Sequence, residues 1–212
     1  MLHYNLKLDK EVTEEMEVIS AGILAGGKSS RMGENKARLK FGKDSFVEKI
    51  AKECSDFHEV MVSVDDRAKY SDLPYRLVED DKKGYGPLEG IFQLLKASKT
   101  EYVLVVATDM PFINREVLNK LANLVTGEED CVVLCVDGKI QPLCSIYSKK
   151  VLSVLEQMRE KEIHRPRLLY KSTITKYVEI SELDEDAIAV DNINTKEEYC
   201  RAMQQMKAKR GN

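Results

Sequence analysis

The sequence predicts an α/β protein with a mostly parallel central sheet covered by helices on both faces. Three observations carry this. Short apolar runs alternate with segments of helical period over the first 135 residues. The apolar runs are nearly continuous rather than alternating, as strands buried on both faces are. Glycines and polar clusters punctuate almost every change from one to the other.

The elements follow in order. VISAGIL (18–24) is an apolar run ending in glycines and is expected to be a buried strand. SFVEKIAKECSDF (45–57) has apolar residues at 46, 47, 50, 51 and 54, which is helical spacing. EVMVSV (59–64) and YRLVED (75–80) are expected strands. LEGIFQLLKAS (88–98) is a helix with Leu88, Ile91, Leu94 and Leu95 on one face. EYVLVVA (101–107) is the strongest strand signal, and NREVLNKLANLV (114–125) opens on Asn114 as a helix cap. CVVLCV (131–136) is a strand, and 137–148 is a turn leading into another. After residue 148 the pattern loosens into a helix (149–161), a basic stretch HRPRLLYK (164–171), a strand (174–181) and a terminal helix that Thr195 can cap. Residues 1–16 lack an apolar period and are expected to be a tail or an extra element, with 17–212 a single domain.

Composition bounds the function. The chain has 212 residues, 33 Lys+Arg against 36 Asp+Glu and a formal charge of −3. That balance argues against a duplex-binding protein. No apolar run approaches the ~20 residues of a membrane span. The N-terminal residues do not follow the pattern of a secretory signal. Cys54, Cys131, Cys135 and Cys144 sit in apolar runs and are expected to be reduced core residues of a cytoplasmic protein. Cys131 and Cys135 on one strand would stand ~13 Å apart, too far to share a zinc ion. The three histidines are scattered, so a histidine metal cluster is not expected.

Three stretches carry chemistry. The first strand runs into AGGKSSRMGENKA (25–37), where Gly26 and Gly27 permit close backbone approach to an anion and Lys28, Arg31, Lys36 and Arg38 add positive charge. In such parallel sheets ligands sit at the carboxyl ends of the strands, so this loop is a candidate phosphate cradle. Residues Gly22 to Ser29 also fit G-x-x-x-x-G-K-S, the phosphate loop of NTPases. Context argues against that reading, because Gly22 lies inside the strand run and no helical period follows Ser29. Second, Asp109 stands directly after the strand 102–107, where a carboxylate can hold a divalent ion. Magnesium suits one carboxylate supplemented by phosphates and waters. Third, GYGPLEGI (84–91) opens a helix near the same edge. The loops after residues 24, 64, 80 and 107 are expected to meet around one site.

LAGGKSSRMGENKA, VVATDMP, GPLEGI and NINTKEEY, in that order, resemble the molybdenum cofactor guanylyltransferase family over residues ~18 to ~205. The resemblance implies a Rossmann-like three-layer nucleotidyltransferase fold. It also implies a reaction in which GTP and the phosphate of molybdenum-bound molybdopterin give the guanine dinucleotide cofactor and pyrophosphate. Leu24, Ala25 and Gly26 match the segment that touches the nucleotide, Lys36 the loop lysine, Asp80 an acid of the nucleotide site and Asp109 the Mg²⁺ ligand. Ser63 stands where the family often has Asn. Asn192 and Asn194 match the two asparagines of the NINT-like segment, and with Arg165 they are the candidates for binding the acceptor. Arg31, Lys36 and Asp109 are the candidates for charge stabilisation during transfer. The resemblance also implies molybdoenzymes or their chaperones as recipients of the product.

The chemistry agrees with the resemblance. An acceptor phosphate is already an anion, so transfer needs cations and backbone donors rather than a Ser-His-Asp device. The alternatives are a cytidylyltransferase or a sugar or polyol phosphate nucleotidylyltransferase, a P-loop NTPase, and a nucleotide-binding adaptor without catalysis.

Overall fold

A computed structural model describes residues 19–26, 35–184 and 188–210, without the side chains of 207–210. Residues 1–16, Gly27, Lys28, Ser29 and Arg31 lie outside the described residues.

A seven-stranded sheet forms the middle layer, in the order β5-β4-β1-β6-β8-β7-β9. Its strands are β1 (Ile19–Leu24), β4 (Val60–Val64), β5 (Arg76–Glu79), β6 (Tyr102–Ala107), β7 (Cys131–Val136), β8 (Lys139–Ser148) and β9 (Thr175–Glu179). β1 pairs in parallel with both β4 and β6, and β4 with β5. β7 and β9 are also parallel. β2 (Lys40–Phe41) and β3 (Asp44–Ser45) form a separate small hairpin.

β8 departs from the repeating pattern. It runs antiparallel to both β6 and β7 and lies between them. The cause is local. Asp137 and Gly138 both take positive φ, 50° and 71°, which gives the tight turn a hairpin needs. The chain therefore reverses beside β7 instead of crossing over.

Helices α1 (Phe46–Glu53) and α3 (Arg115–Ala122) cover one face, and α2 (Pro87–Ala97) and α4 (Leu152–Glu160) the other. Alternation in β6 serves both layers: Tyr102, Leu104 and Val106 join the cluster containing Ile50, Leu118 and Leu121. Val103 and Val105 join Leu88, Ile91, Leu95 and Leu155. Gly22 lies mid-strand, opposite Met61 and Val105. A Cβ there would stand 2.6 Å from Leu94 Cδ1, so glycine is what lets α2 pack this close.

α1 and α3 are shorter than their apolar period suggests. α1 starts with a capping box between Ser45 and Glu48 and ends at Glu53. Beyond it Cys54 and Phe57 stay buried in a turn, which explains the longer apolar pattern. Asn114 caps α3 by accepting from Val117 N at 3.0 Å. The helix expected at 149–161 begins with a 3₁₀ turn, Lys149–Val151.

A small third cluster ties the C-terminal segment to the front of the sheet. Ile193, 2% exposed, packs with Phe41, Phe46 and Ala202, and Phe112 and Tyr199 border it. Tyr199 Oη donates to the Lys40 carbonyl at 2.6 Å. Helix α5 (Lys196–Arg210) begins here, with Glu198 N donating to Thr195 Oγ1 at 3.1 Å and Thr195 N donating to Glu198 Oε2 at 2.9 Å. No helix among the described residues is long and apolar enough to cross a membrane.

Candidate functional site at the carboxyl edge of the sheet

The loops after β1, β4, β5 and β6 border one cleft of about 670 Å³, a volume suited to a nucleotide. Leu24, Ala25, Gly26, Lys36, Ser63, Asp80, Thr108 and Asp109 line it. The expected convergence of these four loops is therefore present. Gly84, Gly86 and Gly90, from the stretch that opens α2, line it too.

The floor is a fixed backbone lattice. Thr108 donates to the Leu24 carbonyl through both N and Oγ1, at 3.3 and 3.2 Å. Ala25 N and Gly26 N donate to the Ser63 carbonyl at 2.9 and 3.2 Å. These two amides are thus committed to the neighbouring strand and are not aimed at an anion, which differs from the simplest cradle reading. Gly26 has a tight packing requirement: a Cβ there would lie 3.0 Å from Asp65 N.

The ends of the glycine-rich loop share a clamp. Buried Tyr70 donates from Oη to the Ala25 carbonyl at 2.8 Å and accepts from Asn35 Nδ2 at 2.7 Å. Nothing in the spacing of the sequence points to Tyr70, which comes from the turn after β4. Arg38 does not face the cleft. Its guanidinium is paired with Asp72, with Nη1 to Oδ2 at 2.7 Å, and lies 5.1 Å from the Tyr70 ring centre. The bidentate carboxylate takes this arginine out of the set of phosphate-facing cations.

Asp109 is mostly buried at the end of β6. Its Oδ1 has no hydrogen-bond partner among the described residues. Burial raises its pKa above the ordinary carboxylate value, and the charge of Lys36 opposes that rise. A buried, unsatisfied carboxylate oxygen is costly unless something positive or a donor meets it. This donor fits a hard divalent cation, and no group of three or more His, Cys, Asp or Glu suited to a metal occurs among the described residues.

Lys36 opens the 3₁₀ turn Lys36–Arg38, and its Nζ donates to Asn194 Oδ1 at 2.7 Å. The Asp109 carbonyl accepts from Ile193 N at 2.8 Å. The NINT segment is thus anchored behind Lys36 and Asp109, and neither Asn192 nor Asn194 is among the residues that line the cleft. Asn192 and Asn194 flank inward-packed Ile193, as the alternation suggests; Asn192 is exposed and Asn194 half-buried.

Asp80 and Ser63 face each other across β5 and β4. Ser63 Oγ donates to Asp80 Oδ1 at 3.1 Å. Burial pushes the Asp80 carboxyl up to about 6, aided by Glu89, Asp65 and Asp81, while the Ser63 hydrogen bond opposes the rise. Gly90 faces this pair closely; a Cβ there would lie 2.7 Å from Ser63 Oγ and 2.5 Å from Leu24 Cδ2.

Arg165 is exposed and is not among the lining residues. Its neighbours are docked to the loop after β5: Tyr85 Oη donates to the Ile163 carbonyl at 2.6 Å, and His164 Nδ1 lies 2.8 Å from the Tyr85 carbonyl. Asp65, Asp66, Lys69, Lys83 and Leu143 also line the cleft. Sequence reasoning missed them because none follows a strand in a recognisable motif; position just after the second strand was the available signal for Asp65 and Asp66. The four cysteines of the apolar runs are buried and unpaired. Burial raises the thiols of Cys54, Cys131, Cys135 and Cys144.

Residues 21–176 match the model of the MobA-like NTP transferase domain. A Clostridium perfringens protein named "Probable molybdenum cofactor guanylyltransferase" is 43% identical over 141 residues, 65% of this chain and 70% of that protein. A Geobacillus sp. protein of the same name is 30% identical over 190 residues, 87% and 97% of the two chains. Among solved structures, molybdopterin-guanine dinucleotide biosynthesis protein A from Archaeoglobus fulgidus superposes with a TM-score of 0.78 at 23% identity, covering 89% of this chain and 99% of that one. The 2-C-methyl-D-erythritol 4-phosphate cytidylyltransferase of Thermus thermophilus shares the fold, with a TM-score of 0.68 at 17% identity, covering 89% and 98%. The chain is thus a nucleotidyltransferase and belongs to the MobA-like family, with the molybdenum cofactor guanylyltransferases as its relatives.

Proposed function

We propose that the cleft binds GTP and that the chain transfers its GMP moiety to the phosphate of molybdenum-bound molybdopterin, releasing pyrophosphate. The observation that carries this reading is the juxtaposition at one edge of Lys36, Asp109 with its unsatisfied Oδ1, and the Asn192–Asn194 segment. The relatives named molybdenum cofactor guanylyltransferase support the guanylyl and molybdenum cofactor assignments.

The acceptor phosphate attacks the α-phosphorus, a new P–O bond forms, and the bond to the β-phosphate oxygen breaks. No general base is needed, because the nucleophile is an anion at neutral pH. Lys36 places positive charge beside the triphosphate, and Arg31 is assigned to the same task. Leu24, Ala25 and Gly26 are assigned to the nucleotide as the packing surface beneath it, since the Ala25 and Gly26 amides are held by Ser63, and Gly27 as a backbone contact, with Ser63 and Asp80 as polar partners. A carboxylate and the adjacent hydroxyl suit the N1–H and N2–H₂ groups of guanine, which need acceptors. Asp109 would hold Mg²⁺, which when bound neutralises charge on the phosphates. Asn192, on the exposed side of the NINT segment, is assigned with Asn194 to the acceptor, and Arg165 to an outer part of its path.

We further assign residues 17–212 to one domain and the protein to the cytoplasm, where its unpaired thiols stay reduced. Handover to molybdoenzymes or their chaperones completes this reading. Gly22 in mid-strand opposes the P-loop alternative. A thermal-shift panel of GTP, CTP, ATP and UTP with Mg²⁺ tests the base assignment: GTP should give the largest stabilisation. Equal shifts for CTP and GTP would reject it.

A further inference from the structure

The loop between β5 and α2 carries Asp80, Lys83, Gly84 and Gly86 into the cleft wall, and a buried carboxylate beneath it holds it in place. Glu89, in the first turn of α2, is fully buried and accepts four hydrogen bonds. Oε2 takes Arg159 Nε at 2.7 Å. Oε1 takes Arg159 Nη2 at 3.1 Å, Gln93 Nε2 at 2.8 Å and the backbone N–H of Lys82 at 3.1 Å. Gln93 Nε2 also donates to Asp81 Oδ2 at 2.8 Å. The two residues that follow Asp80 are thus both tied to this cluster. Arg159 comes from α4, lies 4.2 Å from the Phe92 ring centre, and receives Lys82 Nζ on its carbonyl at 3.0 Å.

A buried ion pair is a poor device for stability alone, because desolvation offsets its attraction and a well-packed apolar pair often serves as well. An apolar pair cannot, however, offer an acceptor to the Lys82 amide. We propose that Glu89, aimed by Arg159, is a positioning residue for nucleotide binding: by accepting the Lys82 N–H it sets the loop so that Asp80 and Gly84–Gly86 form the cleft wall before the nucleotide arrives. This rests on the reading of the cleft as the GTP site.

Two double variants separate positioning from packing. Glu89→Met with Arg159→Met removes the pair and the acceptor; Glu89→Gln with Arg159→Met removes the pair but keeps an amide oxygen near the Lys82 N–H. Thermal unfolding, Mg·GTP affinity and the KM and kcat of coupled turnover are measured for each. The Met pair should raise the GTP Kd and KM about tenfold or more with kcat much less affected, and the Gln variant should recover most of the affinity. Equal GTP affinity in the two variants, whether normal or weakened, overturns the proposal. Amide hydrogen exchange at Lys82 in the unaltered protein provides a check independent of whether either variant folds. Slow exchange without nucleotide is expected, and exchange that slows only on adding GTP overturns the proposal. Lys36→Ala is the control for the underlying reading: if it leaves GTP affinity unchanged, the cleft assignment fails, and a Lys82 amide that still exchanges slowly marks that failure as separate from this one.

Discussion

Lys36 Nζ and Asn194 Oδ1 lie 2.7 Å apart although 158 positions separate them in the chain. The contact joins the glycine-rich loop's far end to the start of the last helix. It exists because Ile193 is buried in the Phe41–Phe46 cluster and its amide is fixed on the Asp109 carbonyl. The two asparagines are therefore placed differently: Asn194 accepts from the lysine, and Asn192 is on the surface.

Asn194→Ala should lower turnover about tenfold, the scale expected when a well-placed group loses its orientation. The last helix should keep its cap, since Thr195 and Glu198 make it independently. Far-UV circular dichroism and steady-state pyrophosphate release check both halves. Unchanged turnover would return Asn194 to a purely structural place.

Lys36→Ala should cost about 2.7–4 kcal/mol of transition-state stabilisation, the range for a preorganised donor facing developing charge. GTP binding should weaken as well. Isothermal titration beside turnover measures the two separately.

Asp109→Asn should abolish most turnover while raising the thermal stability of the ligand-free protein. The sign follows from burial, which holds the folded-state pKa of Asp109 above its unfolded value. An ionised, unsatisfied carboxylate costs stability at neutral pH, and the amide removes that cost. Near-normal turnover in this variant would contradict the assignment of Asp109 to the metal.

Asp80 gives a pH signature. Its folded pKa of about 6 stands above the ordinary carboxylate value of 3.8, so the folded state binds more protons than the unfolded state between those values. Its contribution to stability is fully present below pH 3.8 and is lost as pH rises through about 6. Asp80→Asn should accordingly raise the Tm of the nucleotide-free protein at pH 7.5 relative to the parent, with the difference shrinking toward pH 4. A Tm difference that does not change with pH would contradict the burial effect.

Gly90→Ala should weaken GTP binding, because the added methyl would press on Leu24 and Ser63 at 2.5 and 2.7 Å. Overpacking of this sort costs about 1–3 kcal/mol of stability. Urea unfolding and GTP titration on one preparation give both numbers.

Much of this arrangement was legible before the structure. The strands β1, β4, β5 and β6 announced themselves by apolar runs, and their shared carboxyl edge placed Leu24, Ser63, Asp80 and Asp109 together. β8 was legible as a strand after a turn at Asp137-Gly138, but its place between β6 and β7 was not, because a local turn sets the reversal against β7 and leaves the second neighbour to β6. Arg38 reads as one more loop cation until Asp72 is beside it, and nothing in the sequence marks Glu89 as buried, because its partner Arg159 comes from α4. Tyr70 was invisible for the same reason: its hydroxyl matters only through Ala25 and Asn35. Contacts between distant segments leave no period or spacing in a single chain.

Guanylyl transfer at this cleft is read out by pyrophosphate release. The protein is incubated with Mg²⁺, molybdenum-bound molybdopterin and each of GTP, CTP, ATP and UTP in turn. Pyrophosphate is expected from GTP, in proportion to acceptor consumed, and none when the acceptor is left out. Equal release from CTP, or orthophosphate from GTP without acceptor, would contradict it.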